Sequence, residues 1–285
     1  MAARTASENA FAPGRVVQLA PGVRRITAPN PGFMTGPGTN CYLVGETEHA
    51  IIDPGPRDEG HIEAIAAAVA DRARWILVTH AHPDHCPAAR PLADRLGIPV
   101  YAHATRLRGV RDPDFRPDHS LADGDQIKGA DFSLRCLHTP GHAADHLCFL
   151  LESAGMLFAG DHVMEGVTVV IAPPDGDMAA YLRSLEALQA EAIECIAPAH
   201  GGLLDQPRMR FKRVISHRLE REAQVVAALA QQAASIETLT ARIYRETPAP
   251  LRKVAEWQVH AHLLKLAQDG RAAAPVDDGV WRLVH

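Results

Sequence analysis

A chain of 285 residues, 47% hydrophobic, can bury a substantial core and exceeds one small domain, so one large unit and one small one are expected. No run approaches the roughly 20 apolar residues of a membrane span, and five scattered cysteines without paired spacing exclude a disulfide framework. With a formal charge of −5 and no signal-like apolar segment over residues 1–13, the chain reads as cytoplasmic, without a membrane partner, its cysteines reduced and mostly buried.

In chain order, residues 16–19 and 23–26 read as strands about the Pro21-Gly22 turn. Residues 29–40 hold too many Gly and Pro for helix or strand. They read as a loop that can approach a ligand closely, with Thr35, Thr39 and Asn40 as hydrogen-bonding groups at the mouth of a site. Residues 41–44 and 50–53 form the next strand pair. Asp53 closes an apolar run before Pro54-Gly55, as a turn residue or as a carboxylate that orients a neighbouring ligand loop. A helix over 62–69, a buried strand over 74–78, a helix over 88–96 and a strand over 99–103 give a β-α-β-α-β rhythm with helices outside a sheet. Residues 104–124, charged and interrupted by proline, are assigned mainly to loop. Strands are expected over 132–137, 147–151, 156–159 and 195–197, and Tyr181, Leu182, Leu185 and Leu188 mark one face of a helix.

The most informative stretch is Thr79 to His85, T-H-A-H-P-D-H, at the carboxyl end of the strand over 74–78. That is where α/β folds place their chemistry. His80, His82, Asp84 and His85 offer three imidazoles and a carboxylate within six positions, and Pro83 turns the backbone so that they can converge. Such nitrogen and oxygen donors suit zinc or another first-row divalent metal, with Mn2+ and Fe2+ as alternatives. Further on, His142 in T-P-G-H, Asp161 in F-A-G-D and His200 in A-P-A-H-G each follow an apolar run and sit beside a Gly or Pro.

Taken together, these residues resemble the signature of the metallo-β-lactamase superfamily, H-x-H-x-D-H followed by separate His, Asp and His. The resemblance implies an α/β fold, an αββα sandwich of two mixed sheets with helices outside. It implies two divalent metal ions. His80, His82 and His142 correspond to the ligands of the first, Asp84, His85 and His200 to those of the second, and Asp161 to the carboxylate that bridges them. It favours the orienting role for Asp53. A hydroxide generated on such metals attacks a carbonyl or phosphorus, and Asp84 can accept a proton. His146 and His162 neighbour ligands but fall off the pattern and read as supporting or surface histidines, and Cys86 reads as a packing or supporting residue.

Residues 207–285 read as a second unit after the catalytic 1–206. A long helix over 211–230, a helix start at Ser235-Ile236-Glu237-Thr238, a helix over 251–267 and a hairpin from Arg271 onward resemble a winged helix. Pro-Gly-Thr-Asn at 37–40 and His217-Arg218-Leu219-Glu220-Arg221-Glu222 resemble the lactamase-beta-2-type branch, with Cys41 where Thr is usual; members include an endoribonuclease acting on single-stranded RNA. From Gln206 onward there are thirteen Lys and Arg against eight Asp and Glu, so the tail carries +5 and the first 205 residues −10. The basic tail can attract phosphate, with His217, Arg218 and Arg221 as substrate contacts and His217 as a leaving-group acid. Three readings follow: a metal-dependent hydrolase cutting RNA, a hydrolase of small thioesters or lactones, and a nonenzymatic nucleic-acid-binding protein.

Overall fold

The computed structural model describes residues 10–104, 112, 114–276 and 279–284. Seven strands form one sheet: β1 (Val16–Ala20), β2 (Val23–Thr27), β3 (Asn40–Val44), β4 (His49–Ile52), β5 (Ala73–Leu77), β6 (Val100–Ala102) and β7 (His119–Ser120), hydrogen-bonded in chain order. Six more form a second sheet: β8 (Gln126–Lys128), β9 (Ser133–His138), β10 (Leu147–Leu151), β11 (Met156–Gly160), β12 (Cys195–Pro198) and β13 (Leu204–Asp205), in the spatial order 13-12-11-10-9-8. Both sheets are mixed. In the first, β1 to β4 are antiparallel and β4 to β7 parallel; in the second only β11 and β12 run parallel.

Period-two alternation explains why the sheets stack. Along β10, Leu147, Phe149 and Leu151 face the first sheet, where they join Tyr42, Val44, Ile52 and Leu77. Cys148 and Leu150 face the other way, into the helices. Every residue of β3, β10 and β11 is buried, which is why these strands read as continuous apolar runs. Helices α1 (Glu59–Val69) and α2 (Ala89–Leu96) cover the outer face of the first sheet through Ile62, Ile65, Val69 and Leu92. Helix α3 (Met178–Gln189) covers the second with the Tyr181, Leu182, Leu185 and Leu188 face expected of it. Asp58 and Asp177 cap α1 and α3 by accepting from the backbone N–H three residues on.

Helix α4 (Pro207–Gln231) belongs to two cores at once. Phe211, Val214 and Ile215 pack on the second sheet's helix layer. Val225, Ala228 and Leu229 pack with α5 (Ile236–Ile243), α6 (Arg252–Gln268) and the short hairpin β14 (Ala272–Ala273) and β15 (Arg282–Leu283). Ser235 caps α5 from its side chain, as the sequence suggests. Buried Glu222 fastens the hairpin and α6 to α4 by pairing with Arg271 and Lys265, each at 2.9 Å. Among the described residues no helix is long and apolar enough to cross a membrane.

The segment assigned mainly to loop contains β7, which adds to the parallel edge at Tyr101 and Ala102; residues 105–111 and 113 of that segment, and 277 and 278 of the final hairpin, lie outside the described residues. Cys86 is fully packed in the first sheet's outer core, where burial pushes its thiol well up, so it is a core residue and not a nucleophile. All five cysteines are free, and all but Cys195 are buried.

Candidate metal centre

The site lies where strands of both sheets end. His80, His82, Asp84 and His85 follow β5, His142 follows β9, Asp161 follows β11 and His200 follows β12. Two glycines make the convergence possible. A Cβ on Gly160 (φ 48°) would lie 2.6 Å from His146 Nε2 and 2.9 Å from Thr79 Oγ1. One on Gly141 (φ 141°) would meet the Tyr181 backbone at 2.3 Å. Larger residues would push Asp161 and His142 out of place.

Seven side chains form two adjoining groups, His80, His82, His142 and Asp161, then Asp84, His85 and His200; within each group the ligand atoms lie within 4.8 Å of one another. Across the first, His82 Nδ1 stands 2.9 Å from His80 Nε2 and 3.1 Å from His142 Nε2. Asp161 reaches both: Oδ2 is 3.5 Å from His142 Nε2, and Oδ1 is 3.4 Å from His85 Nε2 and 3.3 Å from His200 Nε2. Asp84 Oδ2 lies 3.3 Å from His200 Nε2 and 3.5 Å from His85 Nε2.

These spacings fit metal binding. Donors about 2.0–2.1 Å from a tetrahedral ion stand roughly 3.3 Å apart, close to the separations here. His85 Nε2 and Asp161 Oδ1 are buried without a hydrogen-bond partner, an arrangement that a bound cation relieves.

The ring tautomers are set from behind. Asp53 Oδ2 accepts from His85 Nδ1 at 2.9 Å, while Asp53 also accepts from the Thr79 N–H and hydroxyl, each at 2.8 Å. Having given its proton to Asp53, Thr79 Oγ1 accepts from His80 Nδ1 at 2.9 Å. His142 Nδ1 donates to the Val170 carbonyl at 2.7 Å and His200 Nδ1 to that of Gly38 at 3.3 Å. Each bond leaves an Nε2 lone pair aimed into the centre. Asp53 holds this post in left-handed backbone, φ 50°, which Asp tolerates better than most residues. It therefore takes the orienting role.

The electrostatics follow from the crowding. Burial, reinforced by His85 and His82, keeps His80 well below the usual histidine value, in its ligand-competent neutral form. At His200 burial also lowers the pKa, but the Asp161 and Asp84 carboxylates outweigh it and lift the ring to about 9. Burial raises Asp84 and Asp161, yet the neighbouring His85 and His200 hold both carboxyls below their usual range.

Several expected substrate contacts have other duties. Thr39 and Asn40 are fully buried. Asn40 Nδ2 donates to the carbonyls of Pro198 and Gly201, and the Thr39 backbone bridges to His200, so both hold the His200 loop, and neither lines the mouth. Arg218 is 1% exposed, bonded to Gln258 and the Val169 carbonyl, because α4 has protein on this side as well. His217 lines neighbouring clefts and not the metal mouth, so it is not placed as a leaving-group acid. Arg221 stacks on Tyr244 at 4.8 Å and lines an adjoining groove. Thr35 does line the mouth, with its hydroxyl donating to the Asn30 carbonyl.

His146, expected as a supporting or surface histidine, is a supporting one: it is buried, shares a hydrogen bond with Thr139 and accepts from the Asp161 N–H at 3.2 Å, so it supports the Asp161 backbone. His162 instead packs against Tyr181 in the core. Sequence reasoning missed other residues. Asp145 accepts from the Ala81 N–H at 3.2 Å. Asp175 stands 4.0 Å from His82 Nε2, and Trp257 of α6 walls the mouth; no local pattern marks these two. The mouth is a cavity of ≈ 490 Å³ whose walls include Met34, Met164, Val170, Ala172 and Trp257. Asp84, Asp161 and Asp175 also line it, and no Lys or Arg does among the described residues.

Comparison with known proteins agrees with this layout. The metallo-beta-lactamase superfamily model matches residues 34–200, and that of the beta-lactamase associated winged helix domain matches 235–281. An atrochrysone carboxyl ACP thioesterase of Aspergillus chevalieri is 33% identical over 94% of this chain and 88% of its own length. A beta-lactamase-like protein 2 homolog of Drosophila melanogaster is 30% identical over 90% of this chain and 91% of its own. A beta-lactamase domain protein of Burkholderia ambifaria superposes with a TM-score of 0.80 at 23% identity, covering 96% of this chain and 94% of that one.

Proposed function

Because the chain belongs to the metallo-β-lactamase superfamily, with the associated winged helix domain behind the catalytic fold, and is a metal-dependent hydrolase, we propose that its substrate is an acyl thioester. The observation that carries this reading is the mouth itself. Apolar walls, with no Lys or Arg among the described lining residues to meet a run of phosphates, suit an uncharged acyl group better than a polynucleotide backbone. The thioesterase named above, similar along nearly the whole chain, supports the same chemistry.

His80, His82 and His142 would hold one divalent ion and Asp84, His85 and His200 a second, with Asp161 facing both. Such ions supply Lewis acidity at a carbonyl and bring the pKa of a water toward neutrality. The donor set suits zinc, with Mn2+ and Fe2+ as alternatives. The chain's own residues do the rest. Met34, Met164, Val170 and Trp257 receive the acyl part and keep bulk water from the reacting carbon. Asp84, whose side chain is 28% exposed against 11% for Asp161, takes the proton of the attacking water.

The leaving group decides between esters. A thiol has a pKa of about 8.5 and departs as thiolate without an acid. The alkoxide leaving group of RNA needs a proton donor, and no imidazole outside the ligand set lines the mouth among the described residues. Single-stranded RNA stands as the second reading, favoured by Arg210, Arg213, His217 and Arg221 along α4.

The test is a kcat/KM panel on the metal-loaded full chain with an aryl-acyl thioester, a lactone and a single-stranded oligoribonucleotide. The thioester is expected to be turned over fastest. Cleavage of the RNA without turnover of the thioester would overturn the reading.

A further inference from the structure

We infer that the cleft beside the metal mouth, lined by Arg210, Arg213 and His217, is a phosphate subsite for the thiol-carrier arm of the substrate. The inference rests on the thioester reading above. Many biological acyl thioesters hang on the thiol of phosphopantetheine, whose other end is a phosphate, both in coenzyme A and on carrier proteins. An enzyme with an acyl pocket at the reacting carbon has a second charge to meet at the far end of that arm.

Residues 210, 213, 217 and 221 recur at i, i+3, i+7 and i+11, so they form one stripe on α4. Arg210, Arg213 and His217 border a cavity of ≈ 300 Å³, closed on the other side by the segment from Val163 to Val169. Met164, Val167, Thr168 and His217 continue into a second groove, which carries Arg221 and Tyr244. Met34, Met164 and Val170 then join that groove to the metal mouth. The three cavities therefore adjoin in series from the stripe to the metal mouth, and Met164 lines all of them.

The arginines of the stripe are available. Arg213 is exposed and has no hydrogen bond or ion pair to another described residue; Arg210 reaches only the Asp205 carbonyl, at 3.4 Å. Arg95, Arg135 and Arg90 are committed to carboxylates, while exposed Arg57, Arg183, Arg208 and Arg252 are as unattached as Arg213. What sets Arg210 and Arg213 apart is that both line one cleft adjoining the grooves of the metal mouth. Arg218, on the same helix, is consumed by Gln258 and Val169. Two planar guanidinium forks opening into one cleft suit a phosphate better than a single carboxylate. Burial, then Arg218 and Arg221, keep His217 below its usual pKa, so its neutral ring adds one N–H donor.

The experiment compares one acyl group on pantetheine, on 4′-phosphopantetheine, on coenzyme A and on a phosphopantetheinylated carrier protein, using the metal-loaded full chain. KM is expected to fall roughly tenfold or more from pantetheine to phosphopantetheine, with kcat little changed. In the Arg210→Ala, Arg213→Ala double variant this preference should shrink to about onefold. Lys212→Ala, an exposed charge one position off the stripe, should retain it. A comparable gain on coenzyme A or on the carrier protein identifies which source supplies the arm, and either sustains the subsite. Equal KM for pantetheine and phosphopantetheine, or a preference that survives the double variant, overturns it. If no thioester is hydrolysed, the reading under Proposed function falls separately. The subsite is then judged by calorimetry with desulfo-phosphopantetheine against desulfo-pantetheine: a preference lost in the double variant sustains it, and its absence overturns it. Loss of oligoribonucleotide binding in that variant, with no phosphopantetheine preference in the parent, assigns the stripe to RNA and also overturns it.

Discussion

Two clusters of charged side chains lie on either side of Met164, and they are built on opposite plans. At the metal centre four of the five imidazoles are pinned from behind, by Asp53, Thr79, Val170 or Gly38, and burial together with crowding moves the pKa values. On α4 the arginines at 210 and 213 stand nearly unattached, facing an open cleft. The first arrangement suits ions that must be held within a fraction of an ångström. The second suits a flexible anionic arm, for which long-range attraction matters more than exact placement.

The largest effect should come from the residue shared by both metal groups. Asp161→Ala should remove about 10³-fold or more of turnover, the scale of several kcal/mol of Lewis-acid stabilisation, and lower metal content by mass spectrometry. Full metal content in that variant would break the picture of a carboxylate facing both groups. Within α4 itself, Arg218→Ala should destabilise the fold by about 3 kcal/mol in urea unfolding, since it leaves a cavity, takes the donor from buried Gln258 Oε1 and leaves the Val169 carbonyl with Gln258 Nε2 alone. Arg213→Ala should stay within about 0.5 kcal/mol of the parent. Similar losses in both would erase the distinction between a structural and a ligand-facing arginine.

Behind the ligands, Asp53→Asn should weaken metal affinity or activity by about 10–100-fold, measured by competition with a chelator, while the fold persists. An unchanged affinity would mean that His85 does not depend on its carboxylate. The mildest effect concerns acid stability. Burial lowers His61 to about 4 and His262 to about 3, and for His262 Arg218 and Lys265 add to it. The unfolded chain binds protons at these rings near the ordinary 6.5, the folded chain only well below. Their contribution to stability is therefore complete above about pH 6.5 and is lost progressively as pH falls toward 4 and 3. Unfolding free energy should decline over that window, and His262→Leu should flatten the decline; an unaltered slope would show that His262 is not buried neutral.

The difference between the two clusters also decided what the sequence could tell. The ligand loops were legible because each follows a strand with buried apolar residues, as in β5, β9, β11 and β12, and because four donors in six positions at His80 to His85 have little other purpose. The short edge strands were not. β8 buries only Ile127, β7 buries neither residue, and β13 has two residues, so none presents an alternation to read. Thr39 and Asn40 sit in a Gly- and Pro-rich loop that looks exposed, yet they are buried by their bonds to the His200 loop, which lies some 160 positions away. On α4, Arg218 and Arg221 look equivalent. Only tertiary packing against both Tyr181 and the C-terminal helices turns one inward and leaves the other lining a groove.

The account's central claim, a metal-dependent thioester hydrolase with two adjoining ligand groups, is tested most directly by reconstitution. The full chain is stripped with a chelator, then titrated with Zn2+, Mn2+ or Fe2+ while bound metal and hydrolysis of an aryl-acyl thioester are followed together. The prediction is that hydrolysis is lost on stripping, returns with metal and saturates near two ions per chain. Saturation at one ion, or thioester hydrolysis that survives complete removal of metal, would contradict it.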